Sequence, residues 1–477
     1  MKLLLSKSSG LKGNTLLITV IVTGLVAFLM GAYLTLVRNQ NTTTVRSQVW
    51  NSAIAVIEAG LEDALAHLNT HGTTNLAIDG WQLVNGQYIM QRMVGENYYI
   101  VGISNIVSGS TNSPAPVILS QGYVTLPRAA SAPPTALLAA VGVPDSSKRY
   151  LGRGVRVNAR RDALFARGLV ARGQIDLKGN DITSDSFDSS NPAYSTNGIY
   201  DPSMHKDGGD IATNSGLTNS LNVGNADVFG KVSTGPGGSV QIGPSGKVGN
   251  QAWHDAPGNN GEIQPGWSTD DMNVNFPDVT EPFNGGGFTP NPGTVGGTSY
   301  TYVLEGENYQ MSSLNLSGTE GIRVTSNAVL YVTGNVLMSG GAFIEISPGA
   351  SLKLYVGGSS AIIGGNGIIN NSSNALNFSY YGLTNNTSLS VAGNGTFIGT
   401  IYAPNAALTM NGSGKTETDV VGASVSKTVN MNGRFNFHYD EALRNTGPAR
   451  GYVVTSWNEM LPSELIPPGT YPGSFVQ

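Results

Sequence analysis

The chain contains no cysteine. Disulfides are therefore excluded, as are zinc and redox sites built on thiolates, so packing and backbone hydrogen-bond ladders must hold the fold together. Charge is also scarce. Only 12% of residues are charged, and the net charge of -5 leaves no basic surface for neutralising phosphates, so nucleic acid is not an expected partner. Disorder is not expected either, because it combines high charge with few apolar residues and here 40% of residues are hydrophobic. What the chain has in quantity is glycine, 63 residues of it, together with Asn, Ser, Thr and short Val/Ile/Leu clusters. That composition points to many short strands joined by tight turns. At 477 residues, two or more structural units are expected.

Long apolar runs are lacking except for one, within KGNTLLITVIVTGLVAFLM from Lys12 to Met30 and onward to Val37. No acidic residue precedes Glu58, and no proline occurs between Met1 and Leu68. Leu16 to Val37 is long enough to cross a bilayer as a helix, for which about 20 residues suffice. Lys2, Lys7 and Lys12 favour a cytoplasmic N-terminus, although Arg38 and Arg46 reduce the asymmetry. A cleaved signal peptide needs small residues at its cleavage site, and Met30-Gly31-Ala32 fits that poorly. The helical pattern then continues: Val45, Val49, Ala53, Ile57, Leu61, Ala64, Leu65 and Leu68 recur at steps of three and four. A helix from Leu16 to Leu68 would be roughly 80 Å long. Its first half suits lipid, and its second half offers an apolar stripe to a head domain or a neighbour. A plain single-pass anchor with an amphipathic stalk is the simplest alternative.

Lys12-Gly13 followed by this helix resembles a type IV prepilin leader, which implies cleavage by prepilin peptidase between Gly13 and Asn14. The segment AVIEAGLEDALAHL, Ala55 to Leu68, is similar to the AEAGLE-like box that closes PilX-type N-terminal regions, here Glu58, Ala59, Gly60, Leu61 and Glu62. The resemblance implies a minor pilin or pseudopilin of a type IV pilus or type II secretion apparatus. Such a subunit is stored in the inner membrane and drawn into a filament with other pilin or pseudopilin subunits. It implies a membrane and assembly surface on Leu16, Leu17, Ile18, Val20, Leu25, Phe28 and Leu34. One position departs from the pattern: most major pilins carry Glu as the fifth mature residue, whereas Ile18 stands there. A glutamate in lipid is tolerable only when paired, for instance with a neighbour's amine. Its absence resembles the minor pseudopilins that cap filament tips.

Beyond the helix, QYIMQRMV and YYIVGIS alternate as strands of a small antiparallel unit over residues 70–127, and a Pro/Ala-rich linker follows over 128–150. In residues 151–285 and 299–447, short apolar clusters recur between Gly, Asn and Pro turns, with an irregular Pro/Gly-rich stretch from Ala256 to Thr298 and a tail over 448–477. Quasi-repeats with small turns and no intervening helices point to a right-handed parallel β-helix, or solenoid, whose coils bury apolar residues only by stacking. A β-sandwich head is the alternative. The expected class is thus mainly β, with a long N-terminal helix and a small α+β unit. Tyr302 to Arg444, carrying GTIYAPNAALTMNGSG and VNMNGRFNFHYDEAL, also resembles a domain of unknown function found downstream of PilX-like helices in large envelope proteins, including verrucomicrobial-type ones.

Because β-helices host polysaccharide-cleaving enzymes, carboxylate pairs matter. Asp270 and Asp271 lie near His254 and Lys247 in sequence, and a glycoside hydrolase or polysaccharide lyase is the alternative function they raise. Adjacent residues on a strand point to opposite faces, however, and a glycosidase needs two carboxylates converging on one sugar. A turn-forming role is the plainer reading, and no catalytic residue is assigned. Asp181, Asp185, Asp188, Asp201, Asp207 and Asp210 crowd one loop; of these, Asp185, Asp188, Asp207 and Asp210 are the candidates for calcium, without an EF-hand spacing. Thr409 to Thr416, TMNGSGKT, lacks the first glycine of a phosphate-binding loop, and no G-x-S-x-G elbow is present. His67 and His71 have the i, i+4 spacing of a metal-binding pair, with no third ligand evident. No cofactor is expected. The sequence therefore points to a structural minor pilin-like subunit in the inner membrane, and later on the pilus or cell surface, with a head for tip capping, adhesion or contact with surface glycans. The alternatives are a surface-anchored polysaccharide-binding or polysaccharide-cleaving protein, and a membrane-tethered envelope protein that never enters a filament.

Overall fold

The computed structural model describes residues 14–73, 76–106, 115–127, 150–179, 181–393, 395–411 and 419–467. The leader expected at 1–13 (with Gly13), nearly all of the 128–150 linker and most of the Thr409–Thr416 turn lie outside them. The chain is mainly β, with one long N-terminal helix and a few small helices. It divides into two compact units, Met1–Arg160 with Gly451–Gln477, and Arg161–Arg450.

In the first unit, helix α1 spans Asn14–His71 without a break. Nothing in this stretch opposes a helix, since prolines are absent and Gly24 and Gly31 meet no neighbouring atom. The helix stops at Gly72, whose φ of 64° places it in the left-handed region and whose N–H donates to Leu68 O at 2.8 Å. Strands β1 (Gln82–Val84), β2 (Gln87–Val94), β3 (Asn97–Ser104), β4 (Val117–Thr125) and β5 (Tyr150–Ala163) then form consecutive neighbours in one sheet. β1 to β5 pair antiparallel, Tyr99 opposing Arg92 on one side and Gly122 on the other. Val49, Ala53, Ile57, Leu61, Ala64 and Leu68 on the helix are buried against Tyr99, Val101, Ile103, Ile118, Val155 and Val157. Fully burying one such aliphatic side chain contributes about 1.5–3 kcal/mol, so this stripe fixes the helix to the sheet.

Two boundaries differ from the sequence reading. β5 pairs with β4 from Tyr150 to Asn158, so the small unit extends past residue 127 and takes the start of the 151–285 segment. The sixth strand of the sheet is Ala449–Glu459, which lay in the expected tail. Strand pairing across some three hundred residues leaves no local trace, which is why the sequence does not show it.

In the second unit, apart from one antiparallel hairpin of Asn291–Val295 with Thr298–Leu304, the named strands pair in parallel and return in register. Leu330 opposes Leu354, Leu354 opposes Tyr380, Tyr380 opposes Ile401, and Ile401 opposes Ser424, all of them buried. The series continues from Ser424 to Leu169, Leu169 to Ile211 and Ile211 to Val232. The earlier part of the sequence is thus stacked on the later part through the strand Val420–Asn432. Between Gly321 and Val391 the strands come in threes, such as Gly321–Val324, Ala328–Val332 and Val336–Met338, each trio pairing with the next. This arrangement is compatible with a β-helix; the sandwich alternative is built on antiparallel hairpins instead.

The irregular Pro/Gly-rich stretch has a definite course. Val274 is hydrogen-bonded to Asn214, the Pro277 carbonyl accepts from the Tyr402 hydroxyl (2.7 Å), and Val279 bridges Leu383. Glu281 then accepts from the Tyr331 hydroxyl (3.1 Å), and Phe288 bridges Tyr309. Residues 274–288 therefore run along the outside of the stack, from the coil ending at Thr269 to the coil starting at Asn308. Prolines suit such a strap because they need donate no ladder hydrogen bond.

Candidate functional site

The two halves of α1 present different chemistry. Leu16, Leu17, Ile18, Val20, Leu25, Phe28 and Leu34 are all exposed, Phe28 by 75%. This half is long and apolar enough to cross a membrane. Its threonine hydroxyls bond within the helix: Thr19 donates to Leu16 O (2.9 Å), Thr23 to Thr19 O (2.6 Å) and Thr35 to Gly31 O (2.8 Å). Internal satisfaction is what a lipid environment requires of polar groups. A single N-terminal apolar helix of this kind is compatible with a single-pass anchor. Asn14, the first described residue, already lies in the helix.

The box at Glu58–Glu62 lies where the helix crosses the sheet. Glu58 and Glu62 face solvent, Ala59 is half-buried and Leu61 is buried. A β-carbon on Gly60 would stand 2.6 Å from Ser120 Oγ and 2.9 Å from the Tyr99 ring. About two turns earlier on the helix, a β-carbon on Gly122 would stand 2.9 Å from Ala53 O. The glycines thus let helix backbone and sheet approach closely, and Ser120 closes the seat by donating to Ile57 O at 2.7 Å. Beside it, the Tyr99 hydroxyl donates to Asp63 Oδ2 (2.6 Å), which also pairs with Arg92 (3.1 Å). Burial, reinforced by the Asp63 carboxylate, pushes the Tyr99 phenol above its ordinary range. The sequence shows the box but not its partners, because Tyr99, Ser120 and Gly122 carry no motif of their own.

The other singled-out residues are dispersed. Asp185 is buried, accepts from the Tyr200 hydroxyl (2.6 Å) and pairs with His438 Nδ1 (2.5 Å). Asp188 accepts from the Ser190 N–H, Asp207 from the Gln251 N–H and Asp210 from the Lys231 N–H. The four calcium candidates are thus each engaged with different partners. Burial raises the Asp210 carboxyl above its ordinary value. Asp270 and Asp271 are exposed, whereas His254 is buried, stacked on Phe229 at 3.9 Å and bonded to Val228 O. Lys247 donates to His254 O at 2.8 Å. Among the described residues, one group of three His, Asp or Glu side chains is placed to share an ion: His67, His71 and Asp79. Asp79 is the third member that the sequence did not reveal, being eight residues from His71 with no recognisable spacing.

On the outside of the second unit, Tyr331, Tyr355, Tyr381 and Tyr402 occupy matching positions on successive parallel strands. Tyr355 and Tyr381 stack at 4.7 Å and are partly exposed, while the strap covers Tyr331 and Tyr402. Burial, then the neighbouring Tyr381, pushes Tyr355 up to about 12; burial does the same for Tyr402. An open hollow at the end of the strap is lined by Phe288, Thr289, Asn291, Glu307 and Tyr309.

Residues 289–446 match a family described as Domain of unknown function (DUF7305). That span is less than half of the chain, and it contains the GTIYAPNAALTMNGSG and VNMNGRFNFHYDEAL stretches that resemble such a domain. No curated protein matches the chain. Among solved structures, the crystal structure of the competence-associated pilin ComZ from Thermus thermophilus is 11% identical, with 86% of this chain and 96% of that chain covered, at a TM-score of 0.27. A score at that level lies below that of a shared fold and carries no functional weight.

Proposed function

We propose that this chain is a PilX-type minor pilin or pseudopilin-like subunit that carries a right-handed parallel β-helix head. The observation that carries the reading is the division of α1: an exposed apolar half, Leu16 to Val37, continuous with a half seated on a sheet through Gly60. In this reading prepilin peptidase cuts between Gly13 and Asn14, the apolar half holds the subunit in the inner membrane, and packing with other subunits' helices then moves it into or onto a filament. Ile18 in place of a glutamate favours a position at or near the tip, where no pairing of a buried charge is needed. Parallel strands returning in threes support the β-helix, and parallel crossovers are overwhelmingly right-handed. The head caps the tip or contacts surface glycans, and it has a structural rather than an enzymatic role.

The test is the mature N-terminus in a host that has a prepilin peptidase. A protein beginning at Asn14 supports the reading, provided that Gly13→Val abolishes the cut. An intact Met1 in membrane fractions supports a plain anchor instead, and a start near Thr35 a conventional signal peptide. The absence of native cysteine allows a second readout. Single cysteines at Leu25 and Leu34 should cross-link to neighbouring subunits when a filament assembles.

A further inference from the structure

We infer that His67, His71 and Asp79 form a binding site for a divalent transition-metal ion that ties the end of α1 to the turn preceding the sheet. One ligand atom from each of the three lies within 4.8 Å of the other two. His67 and His71 are one helical turn apart, which places both rings on the same face. Asp79 arrives from the turn Ile78–Trp81, closed by the Trp81 N–H on Ile78 O (3.0 Å). Asp79 and Gly80 both have positive φ there, 55° and 88°, a backbone that Asp and Gly tolerate better than most residues. The turn brings Asp79 Oδ2 to 3.0 Å from His71 Nε2.

The chemistry of the set fits such an ion. Two adjacent ligands each about 2.1 Å from a shared ion stand roughly 3.0–3.4 Å apart, and His71 Nε2 and Asp79 Oδ2, at 3.0 Å, lie at the short end of that range. Small rotations of His71 and Asp79, both of which reach solvent, close the remaining distance. His67 is buried, and its Nε2 lies 3.0 Å from Leu76 O. A carbonyl only accepts, so Nε2 carries the proton and Nδ1 keeps the lone pair; such a backbone contact is how ligating histidines are held in one tautomer. Trp81 stacks on the His67 ring at 4.7 Å and 9°, fixing its plane. Two imidazoles and a carboxylate suit Zn²⁺, Cu²⁺, Ni²⁺ or Co²⁺ rather than Ca²⁺ or Mg²⁺, with water completing the coordination. The plainer alternative is an ion pair between His71 and Asp79 at the negative end of the helix dipole. That pair uses two of the three residues, whereas His67, one turn earlier on the same face, is a third side chain within reach of both.

The experiment uses the full chain in detergent micelles, stripped of metal with a chelator. Zn²⁺ is titrated by calorimetry, and Cu²⁺ by quenching of tryptophan fluorescence, to which Trp81 beside His67 should respond. One saturable equivalent is expected. His71→Ala and Asp79→Asn should each weaken it by roughly tenfold or more, while His205→Ala leaves it unchanged. Zn²⁺ should raise the unfolding midpoint of the native chain but not that of His71→Ala. Both variants change side chains that reach solvent, so folding is preserved, and circular dichroism checks it. The absence of saturable binding, or equal binding by the native chain and both variants, overturns the site.

Discussion

The backbone of Gly60 lies so close to Ser120 that a β-carbon on Gly60 would be 2.6 Å from the Ser120 hydroxyl oxygen. That hydroxyl is already committed to Ile57 O on the same helix. In an unpacked helix, replacing Gly by Ala gains about 1 kcal/mol from propensity. Here the added carbon must displace Ser120 and the Tyr99 ring, at an overpacking cost of about 1–3 kcal/mol. Packing therefore outweighs propensity. Gly60→Ala should leave stability level or lower, and Gly60→Val should lower it by about 2 kcal/mol or more, measured by urea unfolding of the full chain in micelles. A stabilised Gly60→Ala would show that the seat is looser than its geometry indicates.

Tyr99 and Asp63 join the same helix and sheet by a hydrogen bond to a charged acceptor, a kind worth about 1.5–3 kcal/mol. Tyr99→Phe should destabilise the first unit by an amount in this range. In an Asp63→Asn background the penalty should shrink, since the charge on the acceptor is gone. A double-mutant cycle measures the difference.

Alkali should weaken the second unit. Below about pH 10 the phenols of Tyr355, Tyr381 and Tyr402 are neutral both folded and unfolded, so stability is unaffected by them. All three are raised in the folded chain, Tyr355 and Tyr402 to about 12. From about pH 10 upward the unfolded chain loses these protons while the folded chain keeps them, and unfolding becomes progressively favoured until the folded values are passed. Denaturation midpoints should be flat from about pH 8 to 10 and fall from about 10 to 12. Replacing Tyr355 and Tyr381 by Phe should flatten part of that fall.

Breaking the buried pair of Asp185 and His438 should be costly. Both side chains are almost wholly enclosed, and removing the Asp185 carboxylate deletes its bonds to His438 and to the Tyr200 hydroxyl at once. Asp185→Ala should cost about 3 kcal/mol or more, read from thermal or urea unfolding. Calcium added to the native chain should not move the midpoint, because Asp185, Asp188, Asp207 and Asp210 already serve separate partners.

A charge in the exposed half of α1 should impair its partition into membranes. Arg at the centre of a spanning helix costs about 2.5–3.5 kcal/mol on insertion scales. Leu25→Arg should shift the chain from the membrane fraction towards soluble or degraded material, whereas Arg in place of the exposed Glu62, beyond the apolar half, should not. Equal membrane recovery of both variants would count against a spanning role for Leu16 to Val37.

Local sequence determined what depends on short-range periodicity. The apolar run, the stripe from Val49 to Leu68 and the absence of proline specify one long helix, because intrahelical hydrogen bonds and face-by-face burial are set within a few residues. Apolar clusters separated by Gly and Asn likewise specify short strands and tight turns. Tertiary structure alone decided which distant strands meet. Ala449–Glu459 joins the sheet of the first unit, Ser424 stacks on Leu169, and the Pro/Gly-rich strap crosses from one end of the stack to the other. It also decided that Gly60 faces Ser120 and that Asp79 reaches His71. Pairing partners are chosen by register and shape across the whole chain, and a residue that supplies one carboxylate or one missing β-carbon leaves no periodic mark in the sequence.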